Sequence, residues 1–190
     1  MTLANKITVF RLMIIPFFMV FCLLSGPDKS IWWDILAFVT FGMATISDKL
    51  DGYIAKKYNQ ITDFGKIMDP LADKLLVFAA LAIFTGRNDM HSVILWIIIA
   101  RELAITSFRV ICAGKGTIVA AAFSGKLKTV VQLVAILIIL ALPLFSAIGL
   151  TLPTEAAIWI KRALSWLMAA VTLWSGMDYL IANRALITTK

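Results

Sequence analysis

The stretch from Ser47 to Leu76, SDKLDGYIAKKYNQITDFGKIMDPLADKLL, lies between two apolar runs and carries Asp48, Asp51, Asp63, Asp69 and Asp73, five of the chain's eleven acidic residues. Asp48 and Asp51 are three residues apart, and Asp69 and Asp73 are four apart. Either spacing puts a pair of carboxylates on one face of a helix. The segment between the pairs is short, which predicts antiparallel neighbouring helices whose four carboxylates converge near one end. Asp63 falls off both faces and reads as a loop or capping residue.

Outward from this stretch the chain is apolar. Of its 190 residues 61% are hydrophobic and 15% are charged, which departs far from a soluble domain. A membrane span needs about 20 mostly apolar residues. Six such runs are expected, at roughly 8–25, 31–56, 67–86, 91–113, 126–149 and 157–182. The prediction is an all-α integral membrane protein with six transmembrane helices, residues 1–190 forming a single bundle. Pro27, Gly86, Gly114, Gly116 and Pro153 punctuate the connections. Pro16 and Pro143 fall inside spans, where they predict kinks that neighbouring helices tolerate. Pro70 is expected in the first turn of the third span. The first run is kept as a span and not read as a cleaved leader, because Arg11 interrupts it early and no small-residue cleavage site follows.

Lysines and arginines near the span ends divide eleven against four when both termini are placed in the cytoplasm. The poorer side holds only Lys29, Arg87, Lys161 and Arg162. That asymmetry predicts cytoplasmic termini and a cytoplasmic acidic stretch. The net charge of +7 suits an anionic membrane surface or anionic substrates, and nucleic acid is not expected as a partner. Cys22 and Cys112 lie in apolar helices with no metal-type spacing and read as small buried hydrophobes. His91 is the only histidine and falls on the outer side, which leaves histidine catalysis no place at the inner face.

Four bare carboxylates in one place repel one another, and cations relieve the conflict. Oxygen-only ligands suit hard ions such as Mg2+, Mn2+ or Ca2+. Two such ions sharing carboxylates form a site suited to phosphoryl transfer. Isolated acids at helix ends are usually only solvated, but four in register at a membrane boundary point to function. Gly52 beside Asp51 and Gly65 near Asp69 allow close approach of backbone to a ligand.

The pattern Asp48-x2-Asp51-Gly52-x2-Ala55-Lys56-x8-Gly65-x3-Asp69-x3-Asp73 resembles the signature of the CDP-alcohol phosphotransferases, with eight fixed positions over 26 residues. It departs at Lys56, where the family usually has arginine. The resemblance implies a six-helix fold, a homodimer, and two divalent cations, Mg2+ or Mn2+, held by Asp48, Asp51, Asp69 and Asp73. It implies Asp73 as the base and a CDP-linked lipid as donor, its tails left in the bilayer. Asn5, Thr8, Asp48, Gly52, Lys56 and Gly65 are the expected nucleotide-binding residues. A bacterial inner membrane is the expected location.

Cations bear on the acceptor. Arg101, Arg109, Lys126 and Lys128 can all lie near the acidic site in a compact bundle. An acceptor carrying its own phosphate needs such a cluster, whereas serine, ethanolamine or choline does not. Positive-inside topology explains Lys115 equally well, but not Arg101, which is costly in a span unless Glu102 or an acceptor phosphate pairs with it. "RELAITSFR", "SGKLKT" and the N-terminal "ANKITVFR" resemble the branch of the family whose acceptor is glycerol 3-phosphate. The likeness covers most of residues 4–131, and the last two spans add little to it. The expected reaction is direct transfer from CDP-diacylglycerol to sn-glycerol 3-phosphate, giving phosphatidylglycerol phosphate and CMP without a covalent enzyme intermediate. The rival readings are another acceptor (inositol phosphate, or phosphatidylglycerol) and, in a different class, divalent-cation transport.

Overall fold

A computed structural model of the chain describes residues 3–26, 28–57, 63–114, 123–150 and 152–184. At 3–6, 48–57, 63–67, 69, 70, 73 and 146 it describes the helical backbone alone. The described residues form six helices: α1 (Leu3–Leu24), α2 (Ile31–Lys57), α3 (Asp63–Gly86), α4 (Ser92–Gly114), α5 (Phe123–Ala147) and α6 (Thr154–Ala182).

Helix is the form in which an apolar segment satisfies its own backbone in hydrocarbon. Side-chain hydroxyls follow the same rule, as Thr45 Oγ1 donates to the Phe41 carbonyl at 2.9 Å and Ser165 Oγ to the Lys161 carbonyl at 2.7 Å. Three helices have the length and composition to cross a membrane by themselves: α1 over Ile7–Leu24, α5 over Phe123–Phe145, and α6. Apolar pieces of α2 (Ile31–Ser47) and α3 (Lys74–Gly86) accompany them. In α4 Arg101, Glu102 and Arg109 interrupt the apolar run.

The core draws one fully buried residue from each helix: Phe18, Phe41, Leu81, Ile94, Ile136 and Met168. The Phe18 and Phe41 rings meet at 5.5 Å between centroids. The outside is apolar as well, with Phe10, Phe17, Leu103 and Ile181 exposed, while Arg11, Glu102, Lys128 and Gln132 are buried. Polar groups inside and hydrocarbon side chains outside are the arrangement of an integral membrane protein. Exposed Trp32, Trp96 and Trp159 lie near the starts of α2, α4 and α6, where aromatic residues favour the membrane–water boundary. The Arg162 guanidinium lies 5.9 Å from the Trp159 ring centroid at the same level.

Two polar ties fix which helix ends share a side. Arg87 Nη2, just past α3, donates to Ser25 Oγ at 2.6 Å and to the Ser25 carbonyl at 3.2 Å, just past α1. Lys161 of α6 pairs with Asp89 of the α3–α4 turn at 2.7 Å. The ends of α2 and α4 and the starts of α3 and α5 therefore lie at the opposite end. The turn signals fall where the helices change. Gly86 ends α3, Gly114 ends α4, and Pro153 caps α6, while Pro27 and Gly116 lie outside the described residues. Gly149 adopts φ +83° between α5 and α6, a left-handed conformation that glycine takes at no steric cost. Pro16 and Pro143 lie inside the continuous helices α1 and α5.

Two expectations are corrected. Helix α3 starts at Asp63, four residues before the apolar run, so Asp63 is a helix-start residue and not a loop one. For the same reason Pro70 is the eighth residue of α3 and not part of its first turn. Having no N–H, it leaves the carbonyl four residues earlier without its helical donor.

Candidate functional site

The acidic stretch occupies the end of α2 and the start of α3. Asp51 is six residues from the end of α2, and Asp69 is six residues from the start of α3. At 1.5 Å per residue each is about 9 Å in from its helix end. Asp48 and Asp73 lie nine and ten residues in, hence about 14 and 15 Å by the same rise. The two pairs thus lie at similar depths from their own helix ends.

Their register agrees. Along α2 the buried Phe41 and Ala44 lead at spacings of three and four to positions 48 and 51. Along α3 the buried Ala80, Leu76 and Ala72 lead back to positions 73 and 69. Both aspartate pairs continue buried stripes. An all-oxygen donor set of four aspartates is of the kind that hard divalent cations take. At Asp48, Asp51, Asp69 and Asp73, and likewise at Asn5, Gly52, Lys56 and Gly65, the helical backbone alone is described.

The residue after Asp73 opens the second half of the site. Lys74 donates to Thr106 Oγ1 of α4, and its Nζ lies 4.0 Å from Glu102 Oε2. Glu102 is the hub. Its Oε1 accepts from Arg101 Nη1 at 3.0 Å and from Lys128 Nζ of α5. Glu102 and Lys128 are both buried, at 8% and 5% exposure. Charges at that depth require partners, and among the described residues three cations gather on this one carboxylate.

Helix α6 supplies the opposite wall. Arg101 Nη2 donates to Ser175 Oγ at 2.7 Å, and Arg101 Nε is buried with no hydrogen-bond partner among the described residues. A Cβ built on Gly176 would lie 3.1 Å from Arg101 Cγ, so the absence of a side chain there lets the arginine cross α6. One turn on along α6 and two along α4, Arg109 Nε donates to Tyr179 Oη at 3.2 Å, and its guanidinium lies 5.3 Å from the Tyr179 ring centroid. Phe108 meets the same ring edge-on at 5.9 Å. Ser124 Oγ donates to Asp178 Oδ2 at 2.5 Å, and Gln132 Nε2 to Thr172 Oγ1 at 3.1 Å.

The four expected acceptor cations therefore separate. Arg101 and Lys128 meet on Glu102. Arg109 sits against Tyr179 toward the end of α4, and Lys126 is exposed in the first turn of α5. Thr8, expected at the nucleotide, is 1% exposed on α1, one turn before the fully buried Arg11. Lys115 lies outside the described residues. Lys74, Ser175, Asp178 and Tyr179 join the polar cluster without having been singled out in the sequence. The signal available for α6 was its small and polar residues Ser165, Thr172, Ser175 and Gly176, all buried and at helical spacing.

Comparison with known proteins bears on the whole chain. Residues 1–175 match the family described as CDP-alcohol phosphatidyltransferase. A Bacillus subtilis (strain 168) protein named CDP-diacylglycerol–glycerol-3-phosphate 3-phosphatidyltransferase is 38% identical over 198 aligned positions, covering 99% of this chain and 98% of the relative. An Escherichia coli (strain K12) protein of the same name is 35% identical over 190 positions, covering 94% of this chain and 93% of the relative.

Proposed function

The chain belongs to the CDP-alcohol phosphatidyltransferase family, and from that premise we propose that it transfers the phosphatidyl group of CDP-diacylglycerol to sn-glycerol 3-phosphate. The products are phosphatidylglycerol phosphate and CMP, a step of phospholipid biosynthesis. Relatives named for this reaction match nearly the full length. The structural observation that carries the acceptor assignment is the cluster of three cations around Glu102, tied by Lys74 to the helix that bears Asp69 and Asp73. A neutral or cationic alcohol has no use for it, and a phosphate dianion does.

Asp48, Asp51, Asp69 and Asp73 would hold two divalent cations, Mg2+ or Mn2+. When bound, these supply positive charge to the donor pyrophosphate and to the departing CMP. Asp73 takes the proton from the free primary hydroxyl of glycerol 3-phosphate. The alcohol oxygen bonds to the lipid-side phosphorus as the bond from that phosphorus to the CMP oxygen breaks, and no bond to the protein forms. Arg101 and Lys128, which meet on Glu102, hold the acceptor phosphate through charge-assisted hydrogen bonds, and Arg109 and Lys126 add positive charge on its approach. Asn5, Thr8, Asp48, Gly52, Lys56 and Gly65 hold the nucleotide end of the donor.

The protein lies in a bacterial inner membrane with its termini and site on the cytoplasmic side, which the lysine and arginine asymmetry supports. It works as a homodimer, a reading supported by the family resemblance alone. CDP-diacylglycerol labelled at the lipid-side phosphorus tests the reaction. With glycerol 3-phosphate present the label should appear in phosphatidylglycerol phosphate. Label released in a water-soluble nucleotide contradicts the proposed bond cleavage.

A further inference from the structure

Arginine offers five N–H donors in a rigid plane, and a plane is fixed by holding two of its nitrogens. In Arg101 both terminal nitrogens are held from different helices, Nη1 by Glu102 Oε1 at 3.0 Å and Nη2 by Ser175 Oγ at 2.7 Å. The stem is confined as well, lying across Gly176 where an added Cβ would be 3.1 Å from Cγ. The oxygen that holds Nη1 also accepts from buried Lys128. One carboxylate thus sets the position of two cations from two helices, and three of Arg101's five donors have no partner among the described residues.

We propose that Glu102 and Ser175 are positioning residues for the acceptor: they clamp the Arg101 guanidinium, with Lys128 on the same carboxylate, so that both cations face the acceptor phosphate in a fixed geometry. The inference rests on the acceptor assignment above and adds to it two residues that touch no substrate. Removing the carboxylate does not merely raise the local positive charge. Arg101 and Lys128 then repel each other in a poorly solvated interior and separate, so the phosphate loses its preformed partners. The loss falls on acceptor binding. The donor, anchored through its nucleotide and tails, is little affected.

The test is steady-state release of CMP by the purified full-length protein in mixed micelles, varying each substrate in turn. Wild type is compared with Glu102→Gln, Glu102→Asp and Ser175→Ala. Glu102→Gln should raise the KM for glycerol 3-phosphate by about ten- to a hundred-fold, the scale of one charge-assisted contact, and leave the KM for CDP-diacylglycerol within about twofold. Glu102→Asp should recover most of the loss. Ser175→Ala should raise the acceptor KM by roughly three- to tenfold, since it frees one terminal nitrogen only. An unchanged acceptor KM in Glu102→Gln, or equal rises for both substrates without recovery in Glu102→Asp, overturns the proposal. If Glu102→Gln does not fold, Ser175→Ala decides alone: a raised acceptor KM supports the clamp, and an unchanged one overturns it. Wild type is read first, because failure to use glycerol 3-phosphate at all overturns the acceptor assignment itself.

Discussion

Lys128 of α5 donates to Glu102 of α4 inside the bundle, and the two residues are 26 positions apart in the chain. Neither charge is stable at that depth alone, so the pair ties α5 to α4 through their side chains where Arg101 and Lys74 also converge. The network is a packing device as well as a charged surface.

Lys128 and Lys126 should therefore behave differently, although only one residue separates them. Lys128 is buried against Glu102 and Lys126 is exposed. Removing one partner of a buried pair costs about 3–5 kcal/mol. Lys128→Gln should lower the melting temperature and raise the acceptor KM. Lys126→Gln should leave the melting temperature unchanged and raise the acceptor KM only. Thermal unfolding in detergent alongside acceptor kinetics checks this, and equal melting temperatures for the two variants would count against the buried pair.

Tyr179→Phe removes the hydroxyl that accepts from Arg109 Nε and keeps the ring under the guanidinium. A hydrogen bond to a charged group is worth about 1.5–3 kcal/mol when buried, and Arg109 is exposed, so solvent screening brings it below that range. The acceptor KM should rise by roughly three- to tenfold on that scale. Tyr179→Leu, which also removes the ring, should raise it further. Indistinguishable kinetics for Tyr179→Phe and wild type would show that Arg109 does not depend on this contact.

Gly176→Ala tests the space that Arg101 needs. The new Cβ would lie 3.1 Å from Arg101 Cγ, and the side chain cannot swing away while Glu102 and Ser175 hold its other end. Overpacking of this kind costs about 1–3 kcal/mol. Lower thermal stability with a higher acceptor KM is the expected result. A variant with unchanged stability and kinetics would mean that the clamp yields easily.

The acidic pairs stand out in the sequence because helical spacing is local, three and four residues sufficing to pair carboxylates on one face, and the structure adds that both pairs lie in helices, at the end of α2 and the start of α3. The six helices were legible from apolar runs, but α1, α3, α5 and α6 begin three to five residues before those runs. Hydropathy reports the membrane-buried part of a helix, and these polar first turns project beyond it. The role of α6 was not legible. Ser175 and Tyr179 meet Arg101 and Arg109 across 74 and 70 residues of chain, and a serine or tyrosine in an apolar helix carries no local mark of its partner. Glu102 was visible as a partner for Arg101, but its bond to Lys128 depends on how α5 packs.

For the acids, Asp73→Asn should abolish turnover, since it removes both a ligand and the base. Asp63→Asn should leave turnover nearly intact, because Asp63 opens α3 and lies off the stripe that Asp69 and Asp73 continue. Chelation should stop the wild-type enzyme, and Mg2+ or Mn2+ should restore it, as carboxylate sites hold these ions at modest affinity. Equal damage from the two substitutions, or turnover that survives exhaustive chelation, would contradict this division of roles.

The most direct measurement is CMP release by the purified protein with CDP-diacylglycerol, Mg2+ and one alcohol at a time: glycerol 3-phosphate, inositol phosphate, phosphatidylglycerol, serine or inositol. The account predicts release with glycerol 3-phosphate at a rate well above the others, together with a lipid product bearing a terminal phosphate. Release with serine or inositol and none with glycerol 3-phosphate would contradict it.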